Sequence, residues 1–491
     1  MELILLGNDF KYELEKLCRI FLPYEKINIV NEKVESENFA LCEIEKKEDK
    51  FLCKTQLKLY NKTASYTEQV LLNSDEKLKE LTLAQCLFKC FMEISGYKSP
   101  WGILTGVRPA KLFANLTRNV GAEKTKDYFK NQLYVSENKI SLCEQTYDIE
   151  EGIISKSGND WFSLYISIPF CPTRCTYCSF VSHSIAQAKK LVPDYVKLLC
   201  DEIEKTAQIA KKQGLKLKTV YMGGGTPTSI TPDQMDDILS AVENNFDLSG
   251  VLEFTVEAGR PDTVNAEMLS VLKKHKITRI SINPQTMNDK VLQKIGRKHT
   301  AQMTVDAFNL ARQMGFDNIN MDLIAGLPDD TVESFKDTIE TLIKLDPESI
   351  TVHSLSSKRA STLSTEGIEH TAESGKIAEE MVEYARETLT KRGIVPYYMY
   401  RQSKTVGNLE NVGYAKKGYE SLYNVYIMDE THTILGVGAS AVTKLKNPNG
   451  FEISRIFNFK YPYEYISRYG ELLDRKKGIS QFYESYCPNL K

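Results

Sequence analysis

Three cysteines lie within eight residues of one another, in the stretch Tyr165-Ile-Ser-Ile-Pro-Phe-Cys171-Pro-Thr-Arg-Cys175-Thr-Tyr-Cys178. Thiolates with the spacing C-x3-C-x2-C can hold three irons of a [4Fe–4S] cluster and leave the fourth iron open to another ligand. A zinc ion would need a fourth protein ligand, and His183 follows Cys178 by five residues. The spacing therefore predicts either an open iron–sulfur cluster or a zinc site on this loop.

A second stretch that could contact a ligand follows a predicted strand and reads Tyr221-Met-Gly-Gly-Gly-Thr-Pro-Thr228. Consecutive glycines carry no side chains, so their backbone amides can approach a ligand closely. Phosphate sites and plain tight turns share this composition, and the stretch lacks the G-K-[ST] ending of a Walker loop. The glycines predict a close backbone approach and leave the ligand open.

The composition argues against several classes of function. Among 491 residues, 63 Lys and Arg balance 65 Asp and Glu, which gives a net charge of −2. This balance gives no electrostatic footprint for nucleic acid, and no apolar run approaches the ~18 residues of a membrane span. Met1–Gly7 is too short for a signal peptide, and eleven cysteines do not suit a disulfide framework. We expect a cytoplasmic protein that binds no nucleic acid and has no membrane span.

Residues 1–150 are predicted to form an N-terminal α+β accessory domain. Its Pro- and Gly-rich loop, Ser99-Pro-Trp-Gly-Ile-Leu-Thr-Gly-Val-Arg-Pro109, is interpreted as structural because Pro and Gly fix turns. Cys86 and Cys90, four residues apart in a helical pattern, are expected to be small buried hydrophobes. The predicted elements are strands Leu3–Leu6 and Ile27–Val30, a hairpin of Phe39–Ile44 and Phe51–Leu59, helices Leu81–Ser95 and Val107–Thr117, and a linker Glu144–Asp160.

From Ser163 onward, apolar strands alternate with amphipathic helices. The predicted strands are Ser163–Phe170, Thr219–Met222, Glu253–Glu257, Arg279–Asn283, Asn318–Ile324 and Ser349–Ser354. The predicted helices are Pro193–Gln213, Pro232–Asn244, Ala266–Lys274, Ala301–Gln313 and Thr331–Leu345. This alternation predicts an α/β fold with a parallel sheet and right-handed crossovers. Six units, where a closed barrel has eight, predict an incomplete (β/α)6 barrel over residues 160–392, with ligands at the C-terminal strand ends.

After Gly393 the repeat ends, and residues 393–491 are predicted to form a smaller C-terminal domain that covers the open barrel. This part holds a Tyr-rich stretch, Tyr397-Tyr-Met-Tyr400, and a Gly-rich segment, Leu435-Gly-Val-Gly-Ala-Ser-Ala441.

Taken together, these motifs resemble the radical S-adenosylmethionine (SAM) enzymes, and more narrowly the oxygen-independent coproporphyrinogen III oxidase (dehydrogenase) family. The resemblance runs from about Leu164 to Ser467. Besides the cysteine loop and G-G-G-T-P-T, it includes Glu257 at the end of the third strand, Arg279-Ile-Ser-Ile-Asn-Pro-Gln285, Ile295-Gly-Arg297, Met321-Asp-Leu-Ile-Ala-Gly-Leu-Pro328 and Leu435-Gly-Val-Gly-Ala439. The N-terminal extension and the tryptophan loop are most similar to the HemZ-type branch.

The resemblance assigns a role to each matching position. Cys171, Cys175 and Cys178 would ligate a [4Fe–4S] cluster whose open iron chelates SAM. Tyr177 would pack beside the cluster or the adenine of SAM. The positions that match SAM-binding residues of the family are Tyr165, Gly224, Gly225, Thr226, Glu257, Gln285, Arg297 and Asp322. These residue types are suited to bind SAM, because carboxylates accept hydrogen bonds from ammonium and hydroxyl groups, and arginine pairs with a carboxylate.

The implied activity is oxidative decarboxylation of two propionates of coproporphyrinogen III to vinyl groups, giving protoporphyrinogen IX in haem biosynthesis. A 5′-deoxyadenosyl radical would remove a hydrogen from each propionate. A reducing partner such as flavodoxin or ferredoxin would supply electrons. Alternative readings are a haem-binding carrier or chaperone of the same family, or an enzyme acting on another tetrapyrrole.

Two positions depart from the patterns of the family. Members with oxidase-like sequences carry a further cysteine two residues after the third ligand, where this chain has Phe180. The haem-chaperone branch carries His-Asn-x-x-Tyr-Trp where this chain reads Tyr423-Asn-Val-Tyr426. A porphyrinogen carries several carboxylates, so local cations are needed near the barrel mouth; the candidates are Arg260, Lys358 and Arg359, with solvated surface cations as the alternative reading.

Overall fold

The alternating strands and helices are present in the computed structural model, which describes residues 1–178, 180, 183–356, 372–450 and 452–486. Lys358 and Arg359 lie outside the described residues. The chain divides into two compact units. The first contains Met1–Tyr147, Glu369–Glu379 and Tyr400–Glu410, and the second contains Asp148–Ile368, Glu380–Met399 and Asn411–Lys491. The three-part domain division stays a prediction.

The first unit is built on a five-stranded mixed sheet in the order β2-β1-β3-β4-β5. Its strands are β1 Glu2–Leu6, β2 Asn28–Val30, β3 Phe39–Lys46, β4 Lys50–Leu59 and β5 Lys62–Leu71. Strands β3 and β4 pair antiparallel, as the predicted hairpin requires, whereas β5 was not predicted. The helices are α1 Lys11–Phe21, α2 Glu76–Ser95, α3 Pro109–Val120, α4 Ala122–Asp127 and α5 Glu137–Ile154, with a π-helical turn at Tyr128–Gln132. Cys86 and Cys90 are fully buried, as expected.

The predicted linker over Glu144–Asp160 is wrong for most of its length, because helix α5 continues to Ile154. Lys139, Thr146 and Glu150 on this helix are buried. Polar side chains at buried positions obscure the apolar period by which a helix is recognised in sequence.

The second unit contains the predicted parallel sheet. Six strands follow in the order β6-β9-β10-β11-β12-β13, each parallel to its neighbour. Their bounds are β6 Trp161–Ile168, β9 Lys216–Gly224, β10 Glu253–Glu257, β11 Arg279–Ser281, β12 Ile319–Ala325 and β13 Ser349–Ser354. A short parallel ladder, β7 Phe170–Cys171 with β8 His183–Ser184, follows β6. This is the incomplete, open (β/α)6 arrangement expected from the sequence.

Helices return the chain between the parallel strands. They are α6 Ile185–Ala188, α7 Val192–Lys212, α8 Pro232–Asn245, α9 Ala266–Lys274, α10 Asp289–Lys294, α11 Ala301–Gln313 and α12 Val332–Leu345. Side chains cap several helix starts: Thr231 forms a capping box with Gln234, and Asn265 and Thr300 accept hydrogen bonds from the third helical amide. These polar caps satisfy amides that no helical carbonyl reaches, and they mark where each helix begins.

The strands after residue 393 join the same sheet at both of its edges. Strands β14 Val395–Arg401 and β15 Glu410–Ala415 extend it beyond β13, and β15 is antiparallel to β13. Strand β16 Thr433–Val437 is parallel to β6, and β17 Val442–Lys446 and β18 Ile453–Phe457 follow it antiparallel. The remaining helices are α13 Ala372–Lys391, α14 Leu422–Asp429, α15 Pro462–Ser467 and α16 Tyr469–Tyr486. Within the described ranges, no helix is both long and apolar enough to cross a membrane.

Candidate functional site

The three cysteines lie on the loop that follows the first parallel strand. Cys171 and Cys175 are 9% and 8% exposed, and Cys178 is partly exposed. The amide of Thr176 donates to the carbonyl of Ile295 over 3.1 Å, which ties the loop to the segment after helix α10. The parallel register of the sheet thus brings all three thiols to the C-terminal end of β6, where ligands bind in open α/β sheets.

The glycine loop after β9 packs directly against the cysteine loop. The amides of Gly225 and Thr226 donate to the carbonyls of Ile168 and Phe170, each over 2.7 Å. A Cβ at Gly225 would lie 2.5 Å from the Phe170 oxygen and 3.0 Å from the Cys171 sulfur. Gly224 has φ +108°, a region that L side chains rarely adopt. The amides of Gly225 and Thr226 thus pair with carbonyls at the end of β6 and in β7, and a ligand contact by the Gly224–Thr226 loop stays a prediction.

Thr226 also contacts the cysteine loop through its side chain. Its hydroxyl is 3.5 Å from the Cys171 sulfur, in hydrogen-bonding geometry. The G-G-G-T stretch therefore packs against Cys171, the first of the three predicted cluster ligands.

Two carboxylates of the parallel sheet, Glu257 at the end of β10 and Asp322 within β12, have pKa values shifted in opposite directions. Burial raises the pKa of Glu257 to about 7, although the hydroxyl of Tyr221 opposes the shift by donating to it over 2.6 Å; repulsion from Asp322 adds to the rise. Burial also acts to raise the pKa of Asp322, but His353 and the amide of Asn320, 2.7 Å away, outweigh it and hold this pKa below its usual range. A pair of this kind offers one ionised carboxylate and one that is readily protonated near neutral pH.

Gln285 has a strained backbone and an unsatisfied side chain. Its φ is +69°, and its amide and carbonyl bond to Asp322 and Ile324 over 2.9 and 3.0 Å. Its side-chain Oε1 is buried and has no partner among the described residues. Strain held in place by such bonds clusters at ligand sites, so the orphaned oxygen suits a ligand that donates a hydrogen bond.

Arg297 lies between the barrel strands and the cysteine loop. Its guanidinium donates to the carbonyl of Asn283 over 2.7 Å and to the hydroxyl of Tyr177 over 3.1 Å. Burial acts to lower the pKa of Arg297, but Tyr177 and Cys175 more than offset it and raise the pKa above its usual range. Its Nε is buried without a partner among the described residues, so one donor stays available for a ligand.

Three aromatic rings form a stack on the inner face of the sheet. Tyr221 and Tyr423 lie 4.5 Å apart between ring centroids, and Tyr165 lies 6.3 Å from Tyr221. Of these, only Tyr165 was predicted as a site residue. Sequence reasoning missed Tyr221 and His353 as site residues. Tyr221 is the first residue of the glycine motif, and His353 alternates with Thr351 along β13. The sequence does not show which side of each strand faces the site, and only the sheet does.

Arg260, expected to hold a substrate carboxylate at the barrel mouth, has a different environment. It is 3% exposed, and Asp262 binds it through two bonds of 2.9 and 3.0 Å. Its Nη1 lies 3.1 Å from the Thr173 hydroxyl and 3.9 Å from the Cys175 sulfur. The side chain is therefore engaged with the cysteine loop.

The residues at this site fit an iron–sulfur cluster with SAM. Three thiols occupy one loop. Buried polar atoms without partners in the described residues lie on Thr176 in that loop, on Arg297 against Tyr177 and on Gln285 beside Asp322. Within the described ranges, no three His, Cys, Asp or Glu side chains have the spacing of ligands to a single metal ion. A cluster distributes its thiolates over separate irons, so it does not require such convergence.

Comparison with known proteins agrees with this geometry. Residues 165–342 match the family model described as the Radical SAM superfamily. The HemN coproporphyrinogen III oxidase of Escherichia coli has the same fold, with a TM-score of 0.51 and 21% identity over 65% of this chain and 71% of that chain. The chain therefore has the fold of the radical SAM superfamily.

Relatives in sequence narrow the family. The oxygen-independent coproporphyrinogen-III oxidase-like protein HemZ of Bacillus subtilis is 40% identical over 395 residues, which covers 79% of each chain. The heme chaperone HemW of the same organism is 36% identical over 56% of this chain and 70% of that protein. The chain belongs to the HemZ-type, oxygen-independent coproporphyrinogen-III oxidase-like family of radical SAM proteins.

Proposed function

We propose that this protein is an oxygen-independent coproporphyrinogen III dehydrogenase that converts two propionates to vinyl groups and yields protoporphyrinogen IX. The observation that carries the proposal is the juxtaposition at one sheet edge of a three-cysteine loop, a glycine loop packed on Cys171, and the carboxylates of Glu257 and Asp322. The relationship to HemZ of Bacillus subtilis supports the same reaction class.

In this proposal Cys171, Cys175 and Cys178 hold a [4Fe–4S] cluster through three irons. When bound, the cluster supplies one electron for the cleavage of SAM into methionine and the 5′-deoxyadenosyl group that removes hydrogen from substrate. The chain itself supplies position. The loop is fixed by the Thr176 amide, by the Thr226 hydroxyl on Cys171 and by Arg260 on the Cys175 side.

The SAM-binding side chains divide by charge. The ionised carboxylate of Asp322 suits an ammonium or ribose hydroxyl, and Glu257 accepts a cation at the cost of releasing a proton near pH 7. The free Nε donor of Arg297 and the Oε1 acceptor of Gln285 suit polar groups of SAM. We assign further contacts to Tyr165, Tyr177 and the Gly224–Thr226 loop.

The partners follow from the reaction. The substrate is a porphyrinogen, and a reducing protein such as flavodoxin or ferredoxin delivers electrons to the cluster, both in the cytoplasm. The least buried of the three predicted ligands is Cys178, so its side of the loop is the shortest path from solvent for an electron.

The test is anaerobic reconstitution with iron and sulfide, followed by incubation with SAM, a reductant and coproporphyrinogen III. We expect 5′-deoxyadenosine, methionine, CO2 and protoporphyrinogen IX. The triple variant of Cys171, Cys175 and Cys178 to Ala should lose the iron–sulfur absorbance and all products. Cys200→Ala, a partly exposed cysteine on helix α7, is the matched control and should retain both. Stoichiometric zinc without sulfide would refute the proposal.

A second candidate function, haem binding for delivery, is favoured by the similarity to proteins named heme chaperone HemW. The two candidates differ in their products. A carrier would form a stable complex with haem and release no CO2 from coproporphyrinogen III. Turnover of coproporphyrinogen III without a stable haem complex would exclude the carrier.

A further inference from the structure

A buried arginine lies against the cysteine loop from outside the set of predicted ligands. Arg260 follows the end of β10 by three residues and is 3% exposed. Its Nε and Nη2 are bound by the two carboxylate oxygens of Asp262, and its Nη1 turns to Thr173 and Cys175. The fork of Asp262 fixes the guanidinium plane, because a bidentate pair has one geometry. The remaining nitrogen is thereby directed to the cysteine loop, at Thr173 and at the sulfur of Cys175.

We propose that Arg260 is a positioning residue that holds the Cys175 side of the loop and raises the reduction potential of the cluster bound there. This inference rests on the proposed function, since it requires a cluster on the three cysteines. Arg260 touches neither SAM nor substrate in this assignment, and it acts through the thiolate of Cys175.

The physical reason is the charge balance of the site. Each reduction adds one negative charge to a cluster that three thiolates already make negative. A cation 3.9 Å from one sulfur stabilises the reduced state more than the oxidised state. Because the side chain is buried, water and salt screen this interaction little. Hydrogen bonds to sulfur and nearby charge are known means by which proteins set cluster potentials.

The surroundings concentrate this effect on Cys175. Arg297 is a second buried cation at this loop, where its guanidinium donates to the hydroxyl of Tyr177 over 3.1 Å. Cys171 contacts a neutral hydroxyl of Thr226 instead, and Cys178 is the more exposed ligand. Asp262 lies on the far side of Arg260 from the sulfur, so the positive end of the pair faces the cluster.

The experiment is a redox titration of the reconstituted protein, with the reduced cluster followed by electron paramagnetic resonance. Arg260→Gln removes the charge, and the midpoint potential should fall by an amount that makes the cluster at least tenfold harder to reduce, which is about 59 mV for one electron. Arg260→Lys keeps a charge and should restore most of the shift. Asp262→Asn removes the opposing negative charge and should move the potential upward.

Arg312→Gln is the matched control. Arg312 also pairs with a carboxylate, Glu348 at 2.7 Å, but its other bonds go to backbone carbonyls of Phe316 and Asp346 rather than to the cysteine loop. The midpoint potential of the cluster in Arg312→Gln should equal that of the wild-type protein.

Opposite shifts for the Arg260 and Asp262 variants would support the proposal, because a purely structural role would not reverse sign with charge. Loss of the cluster in Arg260→Gln but not in Arg260→Lys, at equal thermal stability, would support the positioning part. An intact cluster with unchanged potential in Arg260→Gln would overturn the inference and leave the proposed function standing. Absence of any cluster in the wild-type protein would refute the proposed function itself.

Discussion

Replacing Glu257 by glutamine should change how the stability of the protein depends on pH. Glu257 ends strand β10, and burial raises its pKa to about 7 from a usual value of 4.5. The hydroxyl of Tyr221 opposes this shift by donating a hydrogen bond of 2.6 Å. The titratable and charged groups that act on Glu257 or feel its charge are Tyr221, Asp322, His353, Arg279, Tyr165 and Tyr423.

The sign follows from proton linkage. Between pH 4.5 and 7 the folded protein keeps a proton on Glu257 that the unfolded chain releases, so the free energy of unfolding falls as pH rises. The stabilisation is fully present below pH 4.5 and is lost as pH rises through 7. The difference in pKa corresponds to about 3 kcal/mol as an upper limit. Because the side chain is only half-buried, we expect about 2 kcal/mol between pH 5 and 8.

Glutamine keeps the shape of the side chain and does not ionise. The stability of Glu257→Gln relative to wild type should therefore increase by about 2 kcal/mol from pH 5 to pH 8, measured by urea unfolding of the protein without added cofactors. Tyr221→Phe removes the hydrogen bond that lowers the pKa of Glu257, so the pH at which the stabilisation by protonated Glu257 is lost should move upward. Tyr423→Phe is the matched control, since it keeps both the aromatic stack and the Tyr221 bond. A pH-independent difference between Glu257→Gln and wild type would refute this reasoning.

Two further predictions concern buried contacts, one at the glycine loop and one between helices α7 and α16. Gly225→Ala places a Cβ 2.5 Å from the Phe170 oxygen and 3.0 Å from the Cys171 sulfur, so the iron and sulfide content per chain should fall after reconstitution. In the control Gly152→Ala the new Cβ meets nothing within 4 Å, and the iron and sulfide content should equal that of the wild type. Equal contents in the two variants would contradict this prediction. Glu202→Gln leaves the buried Lys476 without its carboxylate at 3.0 Å, which should cost about 3–5 kcal/mol in urea unfolding, partly recovered by adding Lys476→Met; an unchanged midpoint would contradict it.

Much of the barrel could be predicted because local patterns decide its elements. Strands β10 and β13 and helices α9 and α11 have the bounds that the strand–helix alternation and the apolar period indicated. Asn265 and Thr300 cap the two helices from the sequence position immediately before them. The site edge could be predicted for the same reason, since parallel strands end together and the motifs stand at those ends.

The sequence could not assign the partner of each polar residue. Arg260 stood at a strand end, as a substrate contact would, and only the fold brings it to Thr173 and Cys175, which lie more than eighty residues earlier. The three glycines predicted a close approach to a ligand, whereas the close approach that the structure describes is between the amides of Gly225 and Thr226 and the carbonyls of Ile168 and Phe170. Spacing along the chain predicts which residues share an edge, whereas hydrogen-bond partners depend on loop conformations that no periodicity encodes.

The buried polar contacts of the tryptophan loop in the first unit also join residues that are far apart in sequence. The indole Nε1 of Trp101 and the Nζ of Lys139 each donate over 2.7 Å to the carboxylate of Glu410, and all three side chains are buried. Arg401 donates to the carbonyl of Leu104 over 2.5 Å. Leaving one of these buried charges without its partner is strongly destabilising, so the first unit includes residues 400–410 although they follow Tyr147 by some 250 positions in sequence. A division of the chain at the point where the strand–helix repeat begins or ends therefore separates side chains that must be buried together.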